Sequence, residues 1–271
     1  RIIYQYFSGW GWMFHPLANF LRSDHTALRR ENAGALRSLK PYADELISWG
    51  VMRGGALTWE YYFPFSGSSA PFISSISQGT AIQSLARSSK AANDPAIMTA
   101  ATMASRAFDV RAPVGLKVPR DGGYHYIGYS GNRSLIIFNM FAQALDGLHD
   151  YSDLANDDNG RRLFEEGLKA ARVEMPKSNT GSWSLYSLRG AESNLNYHQV
   201  LTEFLGRLCE DTNQEALFCD LEAKFTTDLK TKPVIAGAVK RVRGKRIYVS
   251  FRLSKVSTVT VRAAGGGSST A

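Results

Sequence analysis

Apolar residues recur at helical spacing through most of the first 230 positions, then switch to strict alternation near the end. Helices are predicted over Pro16–Leu21 and Ala27–Trp49, the second interrupted or kinked at Pro41. Ile82, Leu85 and Ala86 mark another, and Pro95–Phe108 the next. Further helices are predicted at Ser134–His149, Gly160–Glu174, His198–Leu208 and Asn213–Lys224. Thr58–Phe65 reads as extended, Gly67–Pro71 as a loop, Ala112–Gly123 as a Gly/Pro-rich connection, and Gly181–Tyr186 as a short β-like run.

Tyr and Trp concentrate in the Gly-rich connections between these helices, where burial is incomplete and rings are free to stack on sugars. A plain helical bundle does not need them there. The expected fold is therefore mainly α: an (α/α) toroid or barrel with a cleft at one end, spanning residues 1–230. In residues 231–271, Ile247–Leu253 and Thr258–Arg262 alternate with period two, like strands of a sandwich. So few residues cannot close an Ig-like fold, so this reads as the start of such a module or as strands packed on the helical body. Gly265–Ser269 is linker-like, and a further domain is expected beyond it.

Charge changes the picture only once it is located. The net charge is +8, but nine of the 32 Lys and Arg lie in residues 232–271, which hold no Asp or Glu. The 24 acidic residues therefore face 23 basic ones in the helical part, which makes no electrostatic case for nucleic acid. The basic tail reads as a solvated face or as a contact for an anionic polymer or cell wall. A hydrophobic content of 44% describes a chain with a full core, and no apolar run approaches membrane-spanning length. The chain opens at Arg1 and is expected to be a mature or trimmed product. Cys209 and Cys219 are either two buried thiols or, better in a secreted protein, a short-loop disulfide around Glu210–Gln214.

No G-x-S-x-G, H-E-x-x-H, Walker or dinucleotide motif is present, and no cofactor is expected. The five histidines, His15, His25, His125, His149 and His198, show no metal-ligand spacing, so no metal site is expected. Three tyrosines in polar loops stand out: Tyr129, Tyr186 and Tyr197.

Several stretches together resemble the catalytic C-terminal region of the D-glucuronyl C5-epimerases. They are Ser77–Gln83, the run from Tyr129 through Tyr151, Asn179–Arg189, and Asn196-Tyr197-His198. Gly11–Asn19, with His15-Pro16-Leu17, is similar to an earlier Pro-Leu segment of the family, and Trp59–Phe65 is similar to bacterial members. The resemblance covers roughly residues 4–225 and does not include the N-terminal β domain of the animal enzymes. It implies inversion at C5 of a uronic acid within a polymer, glucuronate to iduronate in type. Tyr197 and Tyr129 would then be the acid/base pair across the ring, with Tyr186 assisting and Arg189 clamping the carboxylate. His198 would orient Tyr197 or bind sugar, and Gln78, Trp59 and Tyr61 would contact substrate. Vertebrate members carry a Glu directly before the loop tyrosine, where this chain has Gly128. Glu60 is the substitute candidate for that acid.

The expectation is an extracellular or cell-surface uronate C5-epimerase acting on an anionic polysaccharide, with no membrane span and no nucleic-acid partner; it admits, without requiring, a homodimer. A polysaccharide lyase shares the same base and carboxylate clamp, and a non-catalytic glycan-binding protein would use the aromatic loops as platforms alone. A glycoside hydrolase fits less well, because no pair of loop carboxylates accompanies the tyrosines.

Overall fold

Among the described residues eight α-helices are interspersed with short hairpins, and four of the helices begin at a side-chain cap. A computed structural model describes residues 1–29, 33–120, 122–244, 246–263 and 267–270. An aromatic hairpin, β1 (Tyr4–Phe7) and β2 (Gly11–Phe14), precedes α1 (Pro16–Leu28). His15 caps α1 by accepting the Ala18 N–H through Nδ1, and Pro16 fills the first turn, where no amide is needed. α2 is Ala33–Ser48 and keeps Pro41 within it. The hairpin β3 (Val51–Arg53) and β4 (Ala56–Thr58) leads to α3 (Ser75–Ala92) and α4 (Pro95–Ser105), the latter capped by Asp94. β5 (Lys117–Arg120) and β6 (Gly123–Tyr126) precede α5 (Phe138–Ala155) and α6 (Asp158–Glu174). α7 (Leu195–Asp211) and α8 (Ala216–Lys230) complete the helical part.

The helices form four antiparallel pairs, α1/α2, α3/α4, α5/α6 and α7/α8, and the first member of each pair stands in an inner row α1–α3–α5–α7. This is the mainly helical α/α toroid expected from the sequence. Two contacts per pair fix the inner helices as parallel. His15 before α1 and Ser77 at the start of α3 share Tyr61, while Asp24 meets Arg87. Gln83 meets Asp146 of α5 while Arg87 meets Asp150. Asp146 meets Arg207 of α7 while His149 meets Asp211. All four N-termini therefore point to one end.

Absent side chains set the closest packing in this row. A Cβ on Gly79 of α3 would lie 2.9 Å from the Cα of Ala144, and one on Gly147 of α5 would lie 2.4 Å from the Gly79 carbonyl oxygen. Only glycine lets these two backbones touch. Outside them, Phe20, Trp59, Phe108, Phe138, Phe141, Phe218 and Phe225 are buried, each contributing about 1.5–3 kcal/mol of transfer energy.

Cys209 and Cys219 form a disulfide with a Cα separation of 4.9 Å, tying α7 to α8 as expected. The C-terminal strands form two separate hairpins, β7 (Ile235–Arg243) with β8 (Arg246–Leu253) and β9 (Thr260–Ala263) with β10 (Gly267–Thr270). Of the linker-like stretch, residues 265–266 lie outside the described residues, while Gly267–Ser269 pair with β9 as a strand. No helix among the described residues is long and apolar enough to cross a membrane.

Candidate active site

Two loops dock on the N-terminal end of the inner row, and each presents a tyrosine there. The first runs through Tyr129 and is pinned to the segment before α3: Ser130 N–H donates to the Ile73 carbonyl at 2.9 Å, and the Ser130 hydroxyl accepts from Ile73 N–H. The Tyr129 ring stands edge-on to Phe65 and Phe72. The second loop carries Tyr186 and is pinned to the entry of α5, where Phe138 N–H donates to the Tyr186 carbonyl and Leu188 N–H to that of Ile136. Tyr197 sits in the first turn of α7, its N–H capped by the Asn194 side chain.

These placements bring the three phenols together. Tyr186 and Tyr197 have ring centroids 4.7 Å apart, and Tyr129 and Tyr186 each lie close enough to the other two phenols for these to shift their titration. Burial, with neighbouring phenols second, pushes Tyr186 up to about 12 and Tyr129 well above the usual tyrosine range. Tyr197 is the exposed member, at 38%. Tyr61 lies behind the group, buried, with its hydroxyl 2.7 Å from Ser77 Oγ, and burial raises it to about 12.

Arg189 occupies the turn after Tyr186, in the left-handed region at φ +63°, an uncommon place for a residue with a Cβ. It is exposed and forms no ion pair or hydrogen bond with another described residue. Beneath the tyrosines a cavity of about 650 Å³ runs between α1, α3, α5 and α7, with Tyr197 and Asn139 among its lining residues. Asn139 is 5% exposed and its carboxamide oxygen has no protein partner. A buried polar atom left free in a cavity wall is a ready contact for a ligand hydroxyl. Asn139 had no signal in the sequence, because an Asn at a helix start reads as ordinary.

Other expected site residues lie elsewhere. Trp59 is 1% exposed, donates its indole N–H to the Leu46 carbonyl and packs edge-on to Phe20, so it is core and not a sugar platform. Gln78 is equally buried and donates its amide NH2 to the carbonyls of Leu57 and Ala104 inside the core. His198 is fully buried, stacked 3.6 Å from Trp183, with Nδ1 on Ser184 Oγ and Nε2 on the Phe225 carbonyl; burial lowers its pKa. It fastens the Tyr186 loop to α7 and α8 and does not touch substrate. Glu60 forms a 2.7 Å ion pair with Arg53, whose guanidinium also grips the Val114 and Pro113 carbonyls, and none of these contacts reaches the three tyrosines. Gly128 packs closely: a Cβ there would meet Met140 Sδ at 2.9 Å, so a larger residue requires the Met140 side chain to move.

One group beyond the sequence reading joins the tyrosine end. His15, half-buried as the cap of α1, has its ring edge-on to Tyr61 at 5.7 Å. Burial lowers its pKa, and Nδ1 is already an acceptor, so the neutral ring carries its proton on Nε2.

Farther down the cavity the polar groups are charged and paired. Arg87 bonds both carboxylate oxygens of Asp24 and reaches Asp150; Arg207 bridges Asp146 and Glu203; His149 Nδ1 lies 3.1 Å from Asp211. Burial, then the charge of Asp150, raises Asp146 to about 6. His149, Asp150 and Asp211 gather three donor atoms within 4.8 Å, as a cation site would. The neighbouring carboxylates of Asp150 and Asp211 raise His149 to about 10 and favour its imidazolium, whereas a metal requires the neutral ring. His149 Nδ1 and Asp211 Oδ2 have no hydrogen-bond partner among the described residues.

With this geometry in hand, the sequence profile of the D-glucuronyl C5-epimerase C-terminus matches residues 53–227. The chain belongs to that family. Solved structures show the same fold. A sugar epimerase from a ruminal bacterium is 11% identical, with a TM-score of 0.56, over 79% of this chain and 59% of that one. The GH76 α-mannanase of Bacteroides thetaiotaomicron is 9% identical, with a TM-score of 0.55, over 79% and 59%. The cellobiose 2-epimerase of Spirochaeta thermophila DSM 6192 is 12% identical, with a TM-score of 0.50, over 73% and 55%. The chain thus spans somewhat more than half the length of each of these structures.

Proposed function

We propose that this epimerase-family chain inverts C5 of a uronic acid within an anionic polysaccharide. The observation that carries this is the cluster of Tyr129, Tyr186 and Tyr197, with Arg189 in the turn three residues after Tyr186. The C5 proton is acidified only by the neighbouring carboxylate, so the reaction needs a base, a second acid on the opposite face and a group that holds the enediolate. Desolvation keeps the proton on Tyr129 and Tyr186, and the exposed phenol, Tyr197, is assigned as the base. A negative charge on its oxygen would accept a hydrogen bond from Tyr186. Tyr129, still protonated, would return hydrogen to the other ring face. Arg189 fits the carboxylate bidentately, and four helix N-termini facing one end favour an anion there. His15 Nε2–H is a neutral donor for the sugar. The disulfide favours an oxidising compartment, hence an extracellular location.

Incubation with heparosan in D2O tests the reading. Deuterium should appear at C5 without a rise in ultraviolet absorbance, and Tyr197→Phe should stop it. An absorbance rise would mean β-elimination, and glycan retention with no exchange would leave only binding; either result overturns the proposal.

A further inference from the structure

The C-terminal ribbon sorts its residues by face. In β8, Arg246, Tyr248, Ser250 and Arg252 alternate with Ile247, Val249, Phe251 and Leu253. Its register with β7 places Arg241 opposite Tyr248, Arg243 opposite Arg246 and Val239 opposite Ser250, so residues facing one another share a side of the ribbon. One face therefore carries four arginines, a tyrosine and a serine. The other carries Val242, Ile247, Val249 and Phe251 together with Lys240.

None of Arg241, Arg243, Arg246 and Arg252 has an ion-pair or hydrogen-bond partner among the described residues, and residues 232–271 contain no carboxylate to supply one. Arg243 and Arg246 stand directly opposite each other, an arrangement that destabilises a strand pair unless an anion lies between them. A hollow of about 260 Å³ opens on this face between Arg241, Arg243, Tyr248 and Ser250. Alternate residues along a strand are about 6–7 Å apart, so the guanidinia form a row suited to repeated anionic groups and not to a single ion.

The root of the ribbon is fastened to the loop that carries Tyr186 and Arg189. The Ser182 hydroxyl donates to the Ser254 carbonyl, Val256 N–H donates to Glu192 at 2.7 Å, and the Lys255 ammonium lies over the Trp183 ring while donating to the Asp228 and Thr231 carbonyls. A polyanion held on the ribbon is thus held next to the loop that would present its uronate for reaction. The face has a single aromatic ring, too few for a run of base stacking, and its groups fit carboxylates and hydroxyls.

We propose that the arginine face of the β7–β8 ribbon is a second binding site for the polysaccharide chain, taking uronate carboxylates outside the reacting residue. The inference rests on the polyuronate substrate argued above for the tyrosine site. It is tested with the full chain carrying Arg241→Gln, Arg243→Gln and Arg246→Gln together; these side chains are exposed, and circular dichroism and the melting temperature check the fold. Retention on immobilised heparosan should fall to lower salt, and KM for C5 exchange on long heparosan should rise about tenfold, as expected for three exposed charge contacts. The kcat and the KM for a heparosan hexasaccharide should not change. Lys240→Gln, on the opposite face, should leave retention unaltered. Equal retention of the triple variant and the parent overturns the inference while leaving the tyrosine site standing. So does an equal loss in Lys240→Gln, or a preference of the parent for duplex DNA or phosphatidylserine vesicles over heparosan. Loss of retention in the triple variant of a protein that shows no C5 exchange would refute the tyrosine reading and support the ribbon site alone.

Discussion

Toward the C-terminal ends of the inner helices, Arg87, Arg207 and His149 each meet at least one carboxylate. At the N-terminal ends, Tyr129, Tyr186 and Tyr197 meet one another and a wall of aromatic rings, and Arg189 forms no ion pair or hydrogen bond with another described residue. In the first region every one of these cations faces a carboxylate, although His149 Nδ1 and Asp211 Oδ2 have no hydrogen-bond partner among the described residues. The second is incomplete in charge, and lies where the helix dipoles favour an anion. Perturbed titration occurs at both ends, so a shifted pKa does not by itself separate a working site from a structural network; a cation without a counter-charge does.

The comparison breaks most sharply at the tyrosines. Tyr197→Phe and Tyr186→Phe are each expected to lower C5 exchange at least ~100-fold with an unchanged melting curve, measured by deuterium incorporation. The paired end should respond in the opposite sense. Asp150→Ala leaves Arg87 and His149 short of a partner and is expected to cost about 3–5 kcal/mol in urea unfolding.

His149 sharpens the same contrast through pH. Its folded pKa of about 10 stands above the ordinary 6.5, so its stabilising contribution is complete below the lower value and disappears as pH rises through the higher. His149→Gln should therefore destabilise by about 2–4 kcal/mol near pH 6 and by little above pH 10, read from urea midpoints across that range. The smallest effect is expected at Glu60. Glu60→Gln weakens the Arg53 pair by about 1–3 kcal/mol but should leave C5 exchange within about twofold. Loss of exchange in a folded Glu60→Gln protein would return the acid to the reaction.

Much of this was legible in the chain. Helix pairs followed from apolar spacing, the Cys209–Cys219 bridge from proximity, and the tyrosine loops from aromatic residues set among glycines. Helix ends were not, because caps override periodicity: α5 starts at Phe138 and not Ser134, where Leu188 and Tyr186 hold its entry, and α7 starts at Leu195 behind Asn194. The errors at Trp59, Gln78 and His198 share one cause. Each lies in a stretch whose composition suits a site, and whether such a residue faces a groove or the core depends on partners far away in sequence, Leu46, Ala104 and Phe225. Asn139 was silent for the converse reason, since its distinction is a bond it does not make.

The contact between Gly79 and Gly147 reaches further than packing. The Tyr129 loop hangs from the lead-in to α3 and the Tyr186 loop from that of α5, so the gap separating the two phenols is inherited from how tightly those helices abut. A single added methyl midway down the toroid would act as a spacer, prising apart groups more than a helical turn above it. Reactive geometry in this molecule is thus ruled partly by two hydrogen atoms standing where other residues would carry carbon.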